Sequence, residues 1–149
     1  MRILFLDIDG VLNRTGFHPG KSVGLRSWIE PELALRACEL LAATDASVVL
    51  TSDWRRGRSL DHLREELAAA GVACTLLGTT PELTGPRWRE IDAWLTEHCV
   101  DPASTAIVDD IYDMGPLSPR FVRTSPLNGL DEDAAHSLLR LFDVGDTSH

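Results

Sequence analysis

Two aspartates directly follow a short apolar run near the start of the chain. The run covers residues 3–6, and Asp7, Asp9 and Gly10 come next. Four apolar residues bounded by turn residues are typical of a buried strand, so both carboxylates should lie where that strand meets solvent. Two carboxylates there are costly unless a cation compensates them, and Mg²⁺ prefers one or two carboxylates together with phosphate oxygens. The pattern therefore favours a magnesium site over a merely solvated strand end.

Polar residues also follow two later apolar runs. Thr51 and Ser52 come after residues 48–50, and the pair Asp109 and Asp110 comes after residues 106–108. Further polar residues lie close behind these two runs: Asp53, Trp54, Arg55 and Asp113. In open parallel α/β sheets the ligand site lies beyond the carboxyl ends of the strands. We therefore expect several carboxylates and two hydroxyls to converge on one edge of a sheet.

The elements that must position these residues alternate along the chain. Short runs rich in branched residues predict buried parallel strands at residues 3–8, 48–50, 72–77 and 106–108, with another short run at 121–123. Apolar spacing predicts helices over residues 31–43, from Ser59 to Gly71, over residues 86–99, and from the acids at 131–133 onward. This alternation predicts a three-layer α/β fold, a Rossmann-like parallel sheet with helices on both faces.

Composition limits the classes of protein that the chain can represent. Its 149 residues, 44% of them hydrophobic, predict one domain over residues 1–149 and argue against disorder. The formal net charge of -9 argues against non-specific binding to nucleic acid or anionic membrane. No stretch approaches the roughly 20 apolar residues of a membrane span, and no signal peptide is recognisable. The three cysteines have no Cys-x-x-Cys spacing, which indicates reduced thiols, so we expect a cytoplasmic protein.

The polar motifs resemble those of the haloacid dehalogenase (HAD) superfamily of phosphohydrolases. The segment from Asp7 to Val11 matches the first motif, and Thr51, with Ser52 as the alternative, suits the second. The third motif is a cation, usually lysine, at the start of a helix. The only lysine, Lys21, is misplaced, so Arg87 is the candidate and Arg89 the reserve. The fourth motif is an acidic pair, here Asp109 and Asp110.

A narrower resemblance lies within that superfamily. Three segments are similar to the HAD domains of Swiss-army-knife RNA repair proteins: residues 6–13, residues 51–55, and residues 87–95 with Arg87, Glu90-Ile91 and Trp94-Leu95. The resemblance covers essentially the whole chain. It implies a capless HAD-like domain.

The resemblance also implies a reaction, the hydrolysis of a phosphate monoester through a covalent aspartyl-phosphate. Asp7 would be the nucleophile, and Asp9 would move the proton to and from the reacting oxygens. Mg²⁺ would be held by Asp7, the backbone carbonyl of Asp9 and Asp110, with Asp109 as an auxiliary ligand.

Other residues would bind the phosphate itself. Gly10 would let the chain turn and bring backbone N–H groups towards the phosphate. Thr51, or alternatively Ser52, would donate its hydroxyl to a phosphoryl oxygen. Arg87 would offset the charge that develops in the transition state.

The predicted substrate class follows from the short segments at the two points where HAD enzymes carry cap domains. Cap domains of HAD enzymes are inserted at two points, which here hold only residues 14–30 and 78–85. Neither can fold as a cap, so the site should admit a large substrate, or a partner subunit covers it. We hypothesise a phosphorylated end of RNA or DNA, bound by Trp54 and a rim of Arg55, Arg56 and Arg58. The alternatives are packing for Trp54, a solvated face for the arginines and a turn-capping role for Asp53.

Other functions and features stay open at this point. The chain could be a non-catalytic or slow phosphoryl-carrying module, or the acids could serve a metal-dependent nuclease. The loop over residues 15–22 could act as a flap, with Phe17 or Trp28 near the substrate. Its glycines at 16 and 20 enclose three residues, where a phosphate-binding P-loop needs four. The sequence leaves the oligomeric state and the physiological substrate unidentified.

Overall fold

Five parallel strands form a single sheet in the computed structural model of the chain, which describes residues 1–19 and 24–143. The sheet order is β3-β2-β1-β4-β5. The strands are β1 (Ile3–Leu6), β2 (Ser47–Leu50), β3 (Leu76–Thr79), β4 (Thr105–Asp109) and β5 (Phe121–Arg123). The helices are α1 (Pro31–Thr44), α2 (Leu60–Ala69), α3 (Arg87–Glu97) and α4 (Glu132–Asp143). The α/β fold predicted from the sequence is confirmed, and no separate cap is evident in the described residues.

The core lies on both faces of the sheet. Successive residues of a strand point to opposite faces, and β1 follows this rule: Leu4 and Leu6 pack with α1, α2 and α4, whereas Ile3 and Phe5 pack with α3. All four of these side chains are buried, as are their counterparts in β4 and, apart from Ser47, in β2. β1 lies in the centre of the sheet, so the residues that follow it emerge between the ends of β2 and β4.

Helix ends follow local side-chain chemistry. The Ser59 hydroxyl accepts a hydrogen bond from the His62 N–H at 3.1 Å and caps α2, as predicted. The Asp131 carboxylate accepts one from the Ala134 N–H at 2.8 Å, so the acidic cluster at residues 131–133 does lie at the start of α4. Helix α1 extends one residue beyond the predicted 31–43, and α3 is shorter than the predicted 86–99.

The strand predicted at residues 72–77 is wrong in position. β3 covers Leu76–Thr79, and Val72 instead closes α2. The Val72 N–H donates to the Leu67 carbonyl at 2.9 Å, while Gly71 adopts a φ of +88°. This is the C-terminal helix cap in which a left-handed glycine is followed by a buried apolar residue. β1 is likewise shorter than the predicted 3–8, because the chain turns after Leu6 to present Asp7.

Within the described residues, no helix is both long and apolar enough to cross a membrane.

Candidate active site

Three carboxylates from the ends of the two central strands meet at the carboxyl edge of the sheet. Asp7 follows β1, Asp109 ends β4, and Asp110 comes next. One oxygen from each lies within 4.8 Å of the other two. The Asp7 N–H donates to the Val108 carbonyl at 3.3 Å, which ties the two strand ends together. The predicted convergence of the first and fourth motifs therefore occurs.

Arg87 is the cation that faces these acids. It is the first residue of α3, and its Nη1 lies 2.9 Å from Asp109 Oδ2 and 3.3 Å from Asp7 Oδ1. Arg89, the reserve candidate, is exposed, and its guanidinium lies 5.5 Å from the centre of the Trp88 ring. Of the two arginines, Arg87 is the one that reaches the carboxylates.

The electrostatics of the cluster are dominated by burial. Asp7 is only 6% exposed, and this burial, reinforced by the negative charge of Asp109, raises its pKa to about 8 despite the opposing charge of Arg87. Burial and the hydrogen bond with Asp109 also raise the pKa of Asp110. The cluster has three carboxylates and one guanidinium, that of Arg87, so it has an excess of negative charge when it is fully ionised. A divalent cation would balance that excess.

The donor set fits Mg²⁺, which takes carboxylate oxygens as ligands. Asp109 is already engaged: its Oδ1 accepts hydrogen bonds from the N–H groups of Asp110 at 2.8 Å and Ile111 at 3.2 Å, and its Oδ2 binds Arg87. This leaves the carboxylates of Asp7 and Asp110 as the principal side-chain ligands. Asp109 orients the arginine and the loop, in keeping with the auxiliary role expected for it.

Asp9 lies apart from the buried cluster. Its side chain is exposed and accepts hydrogen bonds at Oδ1 from Asn13 Nδ2 at 2.9 Å and from Trp54 Nε1 at 3.4 Å. Asn13 also donates to the Trp28 carbonyl at 3.0 Å and accepts from the Gly10 N–H at 3.0 Å. The carboxylate of Asp9 is thus held in one position, as a group that transfers protons must be.

Asn13 is a residue whose role sequence reasoning missed. The signal was available, because an asparagine three or four residues after a turn can hydrogen-bond the turn's own backbone and side chains.

Gly10 permits a close approach between two loops. Its φ is +81°, and a Cβ at this position would lie 2.7 Å from the Cγ of Asp110. Its carbonyl accepts a hydrogen bond from the buried Thr124 hydroxyl at 2.8 Å. Any larger residue would therefore push the candidate metal ligand Asp110 out of place. Thr124, which follows β5, was not singled out by any motif.

Thr51 has the geometry expected of a phosphate donor. It directly follows β2, its side chain is fully buried, and its Oγ1 has no hydrogen-bond partner within the described part of the chain. A buried hydroxyl without a partner is costly, so such groups often face a ligand. Among the described residues, Thr80, which follows β3, also has a buried hydroxyl without a hydrogen-bond partner. The Ser52 hydroxyl already accepts from the Trp54 N–H at 3.2 Å, so Thr51 is the better candidate.

The structure corrects the placement of Arg55, which was predicted to bind substrate on an exposed rim. Its side chain is 2% exposed, and its guanidinium donates to the carbonyls of Thr51, Ser52 and Thr80 and to the Glu90 carboxylate at 2.8 Å. A buried arginine needs a paired acid and several acceptors, and Glu90 from α3 supplies the acid. Arg55 therefore joins the loop after β2 to α3 and cannot contact a substrate in this position.

The rest of the predicted rim is also engaged. Arg56 lies 2.9 Å from Glu82 and 3.6 Å from Asp53. Arg58 donates to the Trp54 carbonyl at 3.1 Å and lies 4.9 Å from the centre of the Trp54 ring. Trp54 is half-buried against the core. Packing, the alternative for Trp54, is therefore what its surroundings show, and its ring nitrogen additionally holds Asp9.

Other predicted residues lie outside the cluster or outside the described chain. Asp53 is exposed and pairs with arginines, and Asp113 accepts a hydrogen bond from the Gly115 N–H at 2.8 Å. Lys21 and Ser22, in the proposed flap, lie outside the described residues.

The comparison with known families agrees with this geometry. The family described as the HAD domain in Swiss Army Knife RNA repair proteins matches residues 3–135. The chain belongs to this family. It is thereby a member of the HAD-like hydrolase superfamily, which generally uses Mg²⁺. No curated protein and no solved structure matches the chain significantly.

Proposed function

We propose that this HAD domain is a Mg²⁺-dependent phosphatase that hydrolyses phosphate monoesters, with phosphorylated ends of RNA or DNA as its substrates. The observation that carries the proposal is the cluster of Asp7, Asp109 and the half-buried Asp110, in which the guanidinium of Arg87 contacts Asp7 and Asp109. Such an excess of carboxylates at a largely buried site destabilises a fold unless a cation compensates their charge.

Asp7 and Asp110 would hold the metal, with the backbone carbonyl of Asp9 as the further predicted ligand. When bound, Mg²⁺ would neutralise the phosphate charge that otherwise repels a carboxylate nucleophile. Arg87 contacts both Asp7 and Asp109, and its guanidinium would draw in the phosphoryl oxygens. The unpaired Thr51 hydroxyl would donate to one of those oxygens.

The reaction would proceed in two displacements at phosphorus. An oxygen of Asp7 attacks, the bond from phosphorus to the leaving oxygen breaks, and Asp9 donates a proton to that oxygen. Water then attacks the phosphorus of the aspartyl-phosphate, Asp9 takes a proton from the water, and the bond to Asp7 breaks. The exposed, hydrogen-bonded position of Asp9 suits a group that must meet both the leaving oxygen and the water.

The choice of substrate draws on the open site and on the family. No separate cap is evident in the described residues, so a bulky substrate could reach Asp7. The family is described from RNA repair proteins. The net charge of -9 and the internal pairing of Arg55 and Arg56 argue against an extended electrostatic groove. The domain would therefore contact only the terminus, and its activity should depend only weakly on salt.

A substrate panel with Mg²⁺ tests the proposal. Oligonucleotides with 5′ or 3′ phosphates are compared with sugar phosphates, and Asp7→Asn is measured beside the wild type. We expect phosphate release that is fastest on oligonucleotide ends and absent in Asp7→Asn.

Three other outcomes would redirect the assignment. Faster turnover of sugar phosphates would overturn the substrate class. Phosphate retained on the protein without release would favour the phosphoryl-carrying module. Cleavage at internal phosphodiesters would favour a nuclease.

A further inference from the structure

An exposed aromatic residue lies two positions after Asp110, the proposed metal ligand. Tyr112 is 84% exposed, although large aromatic side chains are usually at least partly covered. The guanidinium carbon of Arg123 lies 3.6 Å from the centre of its ring. Because one face of the ring meets Arg123 and the ring remains so exposed, its opposite face is open to solvent.

Arg123 couples this ring to the acid loop. It is the last residue of β5, and its Nε donates to the backbone carbonyl of Asp110 at 3.3 Å. A guanidinium over one face of a tyrosine ring is attracted to it and favours one orientation of the ring. Proteins stack bases on aromatic side chains, with cation–π contributions from arginine.

A cleft joins Tyr112 to the reaction centre. It has a volume of about 480 Å³, within the range of small-molecule sites. Its walls include Tyr112, Ile111, Leu83 and Pro86, and also Arg87, whose guanidinium contacts Asp7. A group attached to a phosphate at Asp7 would have this cleft beside it. Charged residues also line it, namely Asp53, Arg56, Glu90 and Asp113. Leu83, Pro86, Ile111 and Tyr112 supply the apolar and aromatic surface on which a flat ring could lie.

The other aromatic candidate is already engaged. Trp54 is partly buried against the core, and its Nε1 donates a hydrogen bond to Asp9. Tyr112 therefore offers the more accessible ring of the two.

We propose that Tyr112 and this cleft bind the terminal nucleoside of a phosphorylated nucleic acid end, with its base stacked on the tyrosine ring. The inference rests on the proposed phosphatase function and makes it more specific: the enzyme would select its substrate by the last base, through stacking and without reading base edges. Arg123 would support the ring from its other face.

Matched substrates and variants test the proposal kinetically. Each phosphorylated oligonucleotide is prepared with a normal terminal nucleotide and with an abasic one. Stacking of one base contributes enough that wild-type kcat/KM should be roughly 5- to 100-fold higher on the normal end. Tyr112→Ala should lose this preference and match the wild type on the abasic end. Tyr112→Phe keeps the ring and should retain the preference.

A binding measurement does not depend on turnover. Tyr112 is the single tyrosine of the chain, so fluorotyrosine labelling gives one ¹⁹F resonance at the proposed platform. In the Asp7→Asn background, where substrate should persist, the normal oligonucleotide should shift this resonance and the abasic one should not.

The outcomes separate the two proposals. Equal kcat/KM on both ends together with an unmoved resonance would overturn base stacking and leave the phosphatase proposal standing. Equal losses of Tyr112→Ala on both ends would also overturn it, since that result indicates a disturbed acid loop. No phosphate release from any ester would overturn the phosphatase proposal, while the fluorine titration would still decide whether Tyr112 binds a base.

Discussion

Replacing Asp7 by asparagine should make the metal-free protein more stable. The Asp7 carboxyl has its pKa raised from 3.8 to about 8, chiefly by burial. The folded state therefore keeps a proton that the unfolded chain releases, and stability falls as pH rises from about 4 to about 8. Each pKa unit corresponds to about 1.4 kcal/mol, so burial of the Asp7 carboxyl lowers the free energy of unfolding at pH 7 by ~4 kcal/mol. The amide introduced by Asp7→Asn would carry no charge, and Arg87 would keep its contact with Asp109.

The size of the stability difference between Asp7→Asn and the wild type, and its dependence on pH, test this prediction. Urea unfolding in the presence of a chelator should show Asp7→Asn more stable than the wild type by about 2–4 kcal/mol at pH 7, or by roughly 5–15 °C in Tm. The difference should vanish near pH 4 and be largest near pH 8. Asp92→Asn makes the same charge change on the exposed face of α3. Its difference in stability from the wild type should not grow between pH 4 and pH 8.

Magnesium should reverse the order of the two proteins. A ligand that binds only the folded state raises its stability, so Mg²⁺ should stabilise the wild type and leave Asp7→Asn nearly unchanged. A stability difference that does not depend on pH, or an Asp7→Asn protein less stable than the wild type at pH 8 without metal, would refute the reasoning.

Three further predictions concern side chains around the same site. Asn13→Ala frees the Asp9 carboxylate and should lower kcat roughly 10- to 100-fold with KM little changed; an unchanged kcat would contradict the positioning role. Glu90→Gln leaves the buried Arg55 without its carboxylate and should cost about 3–5 kcal/mol in urea unfolding, and a loss below about 1 kcal/mol would argue against the buried pair. Thr51→Val removes a hydroxyl without a partner, so the free energy of unfolding should hold or rise while kcat/KM falls roughly 100-fold; full activity would exclude phosphate contact.

The catalytic edge of the sheet could be predicted because two simple rules combine there. Apolar runs mark buried strands, and parallel strands end at one edge, so residues following β1, β2 and β4 had to meet. The choice of Arg87 over Arg89 could not be made from spacing alone. It depends on which residue begins α3 and so points back at the strand ends.

The inward turn of Arg55 escaped prediction for a physical reason. Charged residues are mostly exposed, so three arginines in four positions indicate a surface rim. Burial became possible only through Glu90, which lies 35 residues further along the chain and is brought close by the fold. The sequence contained one indication of this pairing, because the segments similar to the RNA repair HAD domains include both Arg55 and Glu90.

The position of Val72 was also mispredicted, here because of residues close to it in the sequence. A branched apolar residue before a strand looks like the start of that strand, yet here it completes the cap of α2. Gly71 was correctly predicted as the helix stop, but the buried residue after such a glycine belongs to the helix end.

Trapping the covalent intermediate tests the central claim most directly. Wild-type protein is mixed with a phosphorylated oligonucleotide and Mg²⁺, quenched, and reduced with borohydride, which converts an aspartyl-phosphate to homoserine. Peptide mass spectrometry should then find homoserine at position 7, only when both substrate and Mg²⁺ are present. Homoserine at another aspartate, or phosphate release that persists with a chelator or in Asp7→Asn, would contradict the account.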